Sequence, residues 1–131
     1  MAFEIVQLPE LFRLRVFGAL TEQDLIDIGA AADLMERSHD RMPNRLADMT
    51  GVTRVEIDYE AVKALANRRR VLKFPNPFRS AIVVGSPVQM GIARMFQTLM
   101  DNPQITVEIF DSEAAAMEWL NRPAQSQTPS A

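Results

Sequence analysis

Apolar and polar positions recur along this chain with two different periods, and each switch of period marks a structural element. Phe3 and Ile5 flank Glu4, and Phe12, Leu14 and Val16 alternate with Arg13 and Arg15. That period of two belongs to strands with one wet face. Pro9-Glu10 between the two runs is a turn signal, so the chain is predicted to open with a β-hairpin that ends at Gly18. The period then lengthens. Leu25, Ile28, Ala32 and Met35 are spaced by three or four, one apolar stripe of a helix. Ahead of them Thr21-Glu22-Gln23-Asp24 resembles a capping box with aspartate in the glutamate position. The polar run from Ser38 to Pro43 reads as a loop.

Further along, Arg45-Leu46-Ala47-Asp48-Met49 reads as a short strand that Thr50-Gly51 breaks. Asp58 is an N-cap candidate with Glu60 in the first turn behind it, and Val62, Leu65, Ala66 and Arg69 mark a second helix. Two prolines remove backbone donors from Lys73-Phe74-Pro75-Asn76-Pro77-Phe78, which excludes a helix or a central strand there. Ser80-Ala81-Ile82-Val83-Val84-Gly85 is nearly all apolar, as strands buried on both faces are. In Ser86-Pro87-Val88-Gln89 serine caps a helix, proline takes its first position and glutamine reaches back to close the box. Val88, Ile92, Met95, Phe96 and Leu99 form that helix's expected buried stripe, and Asn102-Pro103 stops it. Ile105, Val107 and Ile109 give a last strand, and Asp111 is taken as the cap of a final helix through Ala116, Trp119 and Leu120.

The order β-β-α-β-α-β-α-β-α predicts an α/β fold: one domain over residues 1–122, with a mixed, mostly parallel five-stranded sheet and about four helices. Residues 123–131, rich in Pro, Ser, Gln and Ala, have nothing to bury and are expected to be a disordered tail.

Composition narrows the chemistry. In 131 residues no run approaches the roughly 20 apolar residues that cross a bilayer. The N-terminus lacks a basic segment followed by an apolar one, so the sequence suggests a cytoplasmic protein with neither signal peptide nor membrane span. With no cysteine and a single histidine, His39, neither a thiol nucleophile nor a transition-metal site is expected, and no cofactor is implied. His39 sits in Arg37-Ser38-His39-Asp40-Arg41 and reads as a solvated loop residue. The net charge of −3 leaves nucleic-acid binding to Arg68-Arg69-Arg70 and Lys73 alone. That cluster reads instead as a solvated helix C-terminus, where cations complement the macrodipole.

Several segments together resemble the SpoIIAA-like (STAS) family. The family's D-L-S-x-V-x-x-(I/M)-D-S-S-G motif corresponds to Asp48-Met49-Thr50-Gly51-Val52-Thr53-Arg54-Val55-Glu56-Ile57-Asp58-Tyr59. Its S-P segment corresponds to Ser86-Pro87 through Phe96. Gly91-Ile92-Ala93-Arg94-Met95, and Val107-Glu108-Ile109-Phe110-Asp111 through Ala116, Trp119 and Leu120, resemble the STAS/SEC14-type branch. The resemblance implies a domain that docks other proteins and, in the SEC14-type relatives, one that holds lipid. In anti-sigma-factor antagonists a serine after the motif's aspartate is phosphorylated. Here Tyr59 follows Asp58, so that switch is not expected.

Ligands in open α/β sheets gather beyond the carboxyl ends of the strands. Those ends carry Asp48, Thr50 and Ser86, with Asp58 and Tyr59 nearby and Arg94 on the following helix, and these six are the candidate binding residues. No catalytic residue is assigned, because Ser86, Asp58 and Asp111 each serve as caps and Asp48 and Thr50 suit local turn bonding. Phe74 and Phe78 around the two prolines are a candidate interaction surface for a partner protein or for a second copy in a homodimer. The sequence thus favours a non-catalytic regulatory or protein-interaction module. A carrier of a small apolar ligand is the alternative, and an enzyme built on Asp48 and Asp58 comes third.

Overall fold

The computed structural model describes residues 3–123, so all but the first residue of the expected tail lies outside it. Nine elements follow in the expected order: β1 (Phe3–Leu8), β2 (Leu11–Thr21), α1 (Glu22–Arg37), β3 (Asn44–Glu56), α2 (Tyr59–Arg70), β4 (Phe78–Val83), α3 (Pro87–Met100), β5 (Ile105–Phe110) and α4 (Glu113–Leu120). The sheet order is β1-β2-β3-β4-β5, with β1 antiparallel to β2 and every later pair parallel. Crossovers of one hand that step along the sheet strand by strand deliver their helices to one face. Accordingly α1, α2 and α3 share a face and one apolar cluster, while α4 folds back onto the other face against Leu46, Ala81 and Val83.

The helix starts follow local chemistry. Thr21 accepts from the Asp24 amide at 3.2 Å while the Asp24 carboxylate accepts from the Thr21 amide at 2.9 Å, a reciprocal capping box. Asp58 and Ser86 cap α2 and α3 through the forward bond alone, accepting from the amides of Ala61 and Gln89 without a return bond to the cap. Gln89 is bent to a different task from the expected one: its side-chain oxygen accepts from the Gly85 amide at 2.7 Å, and its amide group donates to the Val52 carbonyl. The cap of α4 is Ser112, not Asp111, because Ser112 is the extended residue whose hydroxyl accepts from the Ala115 amide. Val88, expected in the buried stripe of α3, is 60% exposed, because the first turn of that helix points Gln89 inward instead, where it bonds the Val52 carbonyl.

The two strands read as short are long. β2 passes through Gly18 to Thr21, and β3 runs unbroken through Thr50-Gly51 to Glu56. Their pairing absorbs two register shifts, one beside Gly18, whose φ of 72° only glycine adopts without strain. At Gly51 a Cβ would stand 3.0 Å from the Phe17 Cβ and 3.1 Å from the Val16 carbonyl. The glycine therefore permits a close strand approach where a break was expected. β3 pairs with β4 only over Arg45–Asp48, so its second half and the end of β2 form a two-stranded extension of the sheet.

Candidate functional site

The polar residues at the strand ends are each engaged locally. Asp58 accepts from the Ala61 amide at 3.0 Å, and Ser86 from the Gln89 amide at 3.2 Å. Asp48 accepts from both the amide (2.9 Å) and the hydroxyl (2.6 Å) of Thr50. Tyr59 is exposed at the start of α2, with the Lys63 ammonium 6.0 Å from its ring centre. Arg94 is exposed on α3 and makes no ion pair among the described residues. Thr50, in the middle of β3, lies beside Gly85 just past the end of β4. Yet no hydrogen bond or ion pair among the described residues links Asp48, Asp58, Tyr59, Ser86 and Arg94 to one another, and the six do not form one polar site.

Phe74 and Phe78 are turned inward, which corrects their reading as an outward docking surface. Phe78 is buried as the first residue of β4, and Phe74 packs edge-on against it with ring centres 5.0 Å apart. The proline loop is held in place by side-chain amides. Asn76 exchanges hydrogen bonds with the Met42 backbone, and Gln104 does so with that of Phe74.

What the two phenylalanines enclose is the Arg45 guanidinium, 4.0 Å from the Phe78 ring centre and 5.8 Å from that of Phe74, with Phe12 at 5.5 Å. Arg45 donates to the Glu36 carboxylate in a short contact. Glu36 is also gripped by Arg69, through Nη1 at 2.9 Å and Nη2 at 2.5 Å. Next along the helices, Arg68 donates to Asp33 at 2.7 Å, and the second Asp33 oxygen stands 3.5 Å from Arg69 as an ion pair without a hydrogen bond. The arginine cluster therefore does not end a solvated helix: two of its members clasp α2 to α1. Burial pushes the Arg45 guanidinium down to about 10, opposed by the charge of Glu36 and aided by that of Arg69, so it stays charged at neutral pH. His39 is likewise half buried, its Nδ1 2.8 Å from the Met35 carbonyl and its ring edge-on to Phe12.

Above this ionic clasp, between the sheet and α1–α3, lies a cavity of about 190 Å³. Its walls are almost wholly apolar. Leu14, Val16 and Leu20 come from β2, Ala47 and Met49 from β3, Leu25 and Ile28 from α1, Leu65 from α2, and Ala93 and Phe96 from α3. The polar exceptions include Arg45, Arg69 and Ser80. Native interiors pack like organic crystals with few voids larger than a water molecule, so a space this large is a feature to be explained.

Among the described residues no group of three or more His, Asp or Glu is placed to hold a metal ion. No helix among them is long and apolar enough to cross a membrane. The SpoIIAA-like family profile matches residues 11–121, nearly the whole described chain. The chain belongs to the SpoIIAA-like family. Solved structures that share its architecture include the following two. An anti-sigma factor antagonist from Mycobacterium paratuberculosis superposes with a TM-score of 0.62 at 13% identity, over 92% of this chain and 93% of that one. An uncharacterised protein of the DUF3478 family with a SpoIIAA-like fold, from Shewanella loihica PV-4, gives a TM-score of 0.56 at 17% identity, over 91% and 92% of the two chains. No curated protein is similar enough to count as a relative.

On this SpoIIAA-like framework the residues that sequence reasoning missed are Glu36, Arg45, Arg69 and Ser80. One signal was present. Arg45 and Ala47 alternate with Leu46 toward the face that carries the larger apolar cluster, and a charge on such a face demands a buried partner.

Proposed function

We propose that this SpoIIAA-like domain is a non-catalytic small-ligand binding protein that holds an apolar molecule between its sheet and helices α1–α3, in the manner expected of SEC14-type relatives. The observation that carries this reading is the cavity of about 190 Å³ with apolar walls. An engineered apolar cavity of about 150 Å³ stays dry and binds benzene. Left empty, a space of this volume costs the fold at most about 4–5 kcal/mol, at roughly 24 cal/mol per Å³. An occupant would recover part of that cost. The non-catalytic reading is supported by the engagement of Asp48, Asp58 and Ser86 in caps and local bonds.

Native mass spectrometry of protein purified gently from its own host tests this. The folded wild-type protein is expected to carry reproducible extra mass that an Ala47→Leu variant, with its leucine in the cavity wall, does not carry. A bare wild-type protein would overturn the reading.

A second reading, a protein-interaction module, is favoured by a different surface. Beyond α4 the outer face of β1 and β2 is bare, and Val6, Leu8 and Phe17 are exposed there among Glu4, Arg13 and Arg15. The likeness of fold to an anti-sigma factor antagonist agrees with a protein partner, and self-association into a homodimer would cover the same face. Tyr59 in the place of the switch serine argues against phosphorylation control of such docking. Sedimentation of wild-type protein and of a Phe17→Glu variant separates these cases: a dimer that the charge dissolves supports self-docking, and a monomer in both removes it.

A further inference from the structure

The cavity is polar at one end only. Arg45 and Ser80 are register partners on β3 and β4, and both line it. Arg69 joins them from the last turn of α2, and Glu36, which both arginines grip, stands in the last turn of α1. From Arg45 the cavity follows β3 to Met49, a length of about 13 Å at the rise of a strand. At that far end Val16, Leu20, Leu25 and Met49 offer only carbon and sulfur.

Charge at the polar end does not balance. Three guanidinium groups, those of Arg45, Arg68 and Arg69, share two carboxylates, Asp33 and Glu36. Arg45 Nε is buried and has no hydrogen-bond partner. The Ser80 hydroxyl beside it makes no hydrogen bond among the described residues. A buried donor without an acceptor is a rare and costly arrangement, and an anion is the species that would satisfy it in a site with one positive charge in excess.

We propose that the ligand is an anionic amphiphile: a monocarboxylate whose head is bound by Arg45 Nε and the Ser80 hydroxyl and whose tail lies along the sheet toward Leu20. This rests on the cavity reading and adds the charge and orientation of the occupant. By comparison with the benzene-filled cavity, the tail has about eight carbons. Arg69 and Glu36 are positioning residues that hold the guanidinium at the cavity's end, and the ring of Phe78 supports it from outside.

Isothermal titration of purified, delipidated protein with octanoate and with 1-octanol tests the assignment. Octanoate is expected to bind about tenfold or more tighter than 1-octanol, the range of a charge-assisted hydrogen bond. Arg45→Met should erase that preference, and Ser80→Ala should reduce it. If Arg45→Met does not fold by circular dichroism, the wild-type ratio and the Ser80→Ala ratio decide. Octanol binding as tightly as octanoate overturns the anionic assignment while leaving the cavity reading intact. If neither probe binds, both fall.

Discussion

The two faces of the sheet are covered in opposite ways. On the α4 face Leu46, Ala81 and Ala116 are each fully buried, and small residues opposite one another let a helix of eight residues sit close. Arg79 stays at the end of that layer, donating to the Trp119 carbonyl at 2.6 Å with its guanidinium 5.6 Å from the ring centre. On the other face three longer helices span five strands, and they meet over a gap instead of closing on it. There the charged residues stand inside the layer, where Glu36 joins Arg45 on the sheet to Arg69 on α2. The difference teaches that a single fold can keep one dry, filled core for stability and leave another with room, provided polar groups brace its end.

The largest expected effect comes from breaking that brace. Glu36→Ala leaves two buried guanidinium groups facing each other without their shared counter-charge, and removing one partner of a buried pair costs about 3–5 kcal/mol. Urea denaturation should show that loss, and the double variant Glu36→Ala/Arg45→Met should recover part of it by removing the stranded charge. A loss below about 1 kcal/mol would show that the clasp behaves as an exposed pair.

The next effect sets the two faces directly against each other with one kind of substitution. Ala81→Leu inserts carbons where α4 lies tight and should destabilise by about 1–3 kcal/mol, the usual cost of overpacking. Ala47→Leu, on the neighbouring strand and the opposite face, places the same carbons in the cavity wall and should stabilise by about 0.5–1 kcal/mol, as cavity filling does. Thermal melts of the two proteins without ligand check the signs. Equal losses would mean that the two faces are equally full.

Legibility from sequence divided along a physical line between local and distant interactions. The caps at Thr21, Asp58 and Ser86 were readable because a cap bonds amides two or three residues away. The apolar run at Ala81–Val84 declared a central strand by itself, and the alternation of strands with helices then yielded the parallel sheet. The full extent of β3 was hidden because pairing with β2, not the residues themselves, carries it past Thr50-Gly51. Phe74 and Phe78 looked like a loop patch because Arg45, the residue they enclose, lies some thirty positions away in sequence. The clasp was hidden for the same reason: Arg45 and Arg69 each stand on an apolar face, but Glu36, which joins them, lies 9 and 33 residues away in sequence and alone reads as a surface charge.

The smallest expected effect tests whether the cavity has slack. Gly29 is buried on α1 where it meets α2, and a Cβ there would stand 3.2 Å from Leu65 Cδ1 and 3.4 Å from Arg68 Cδ. Alanine is favoured over glycine within a helix by roughly 1 kcal/mol. Whether Gly29→Ala realises that gain depends on what can yield. Arg68 is held by Asp33, but Leu65 lines the cavity and can turn its methyl group into the open space. Without ligand, Gly29→Ala should therefore stabilise by about 0.5 kcal/mol, the propensity gain less a small repacking cost. With the cavity occupied, the methyl group has nowhere to go, so the same substitution should weaken ligand binding. Melting curves with and without saturating octanoate measure both quantities, and a variant that is less stable in both states would show that the helices are already locked against each other.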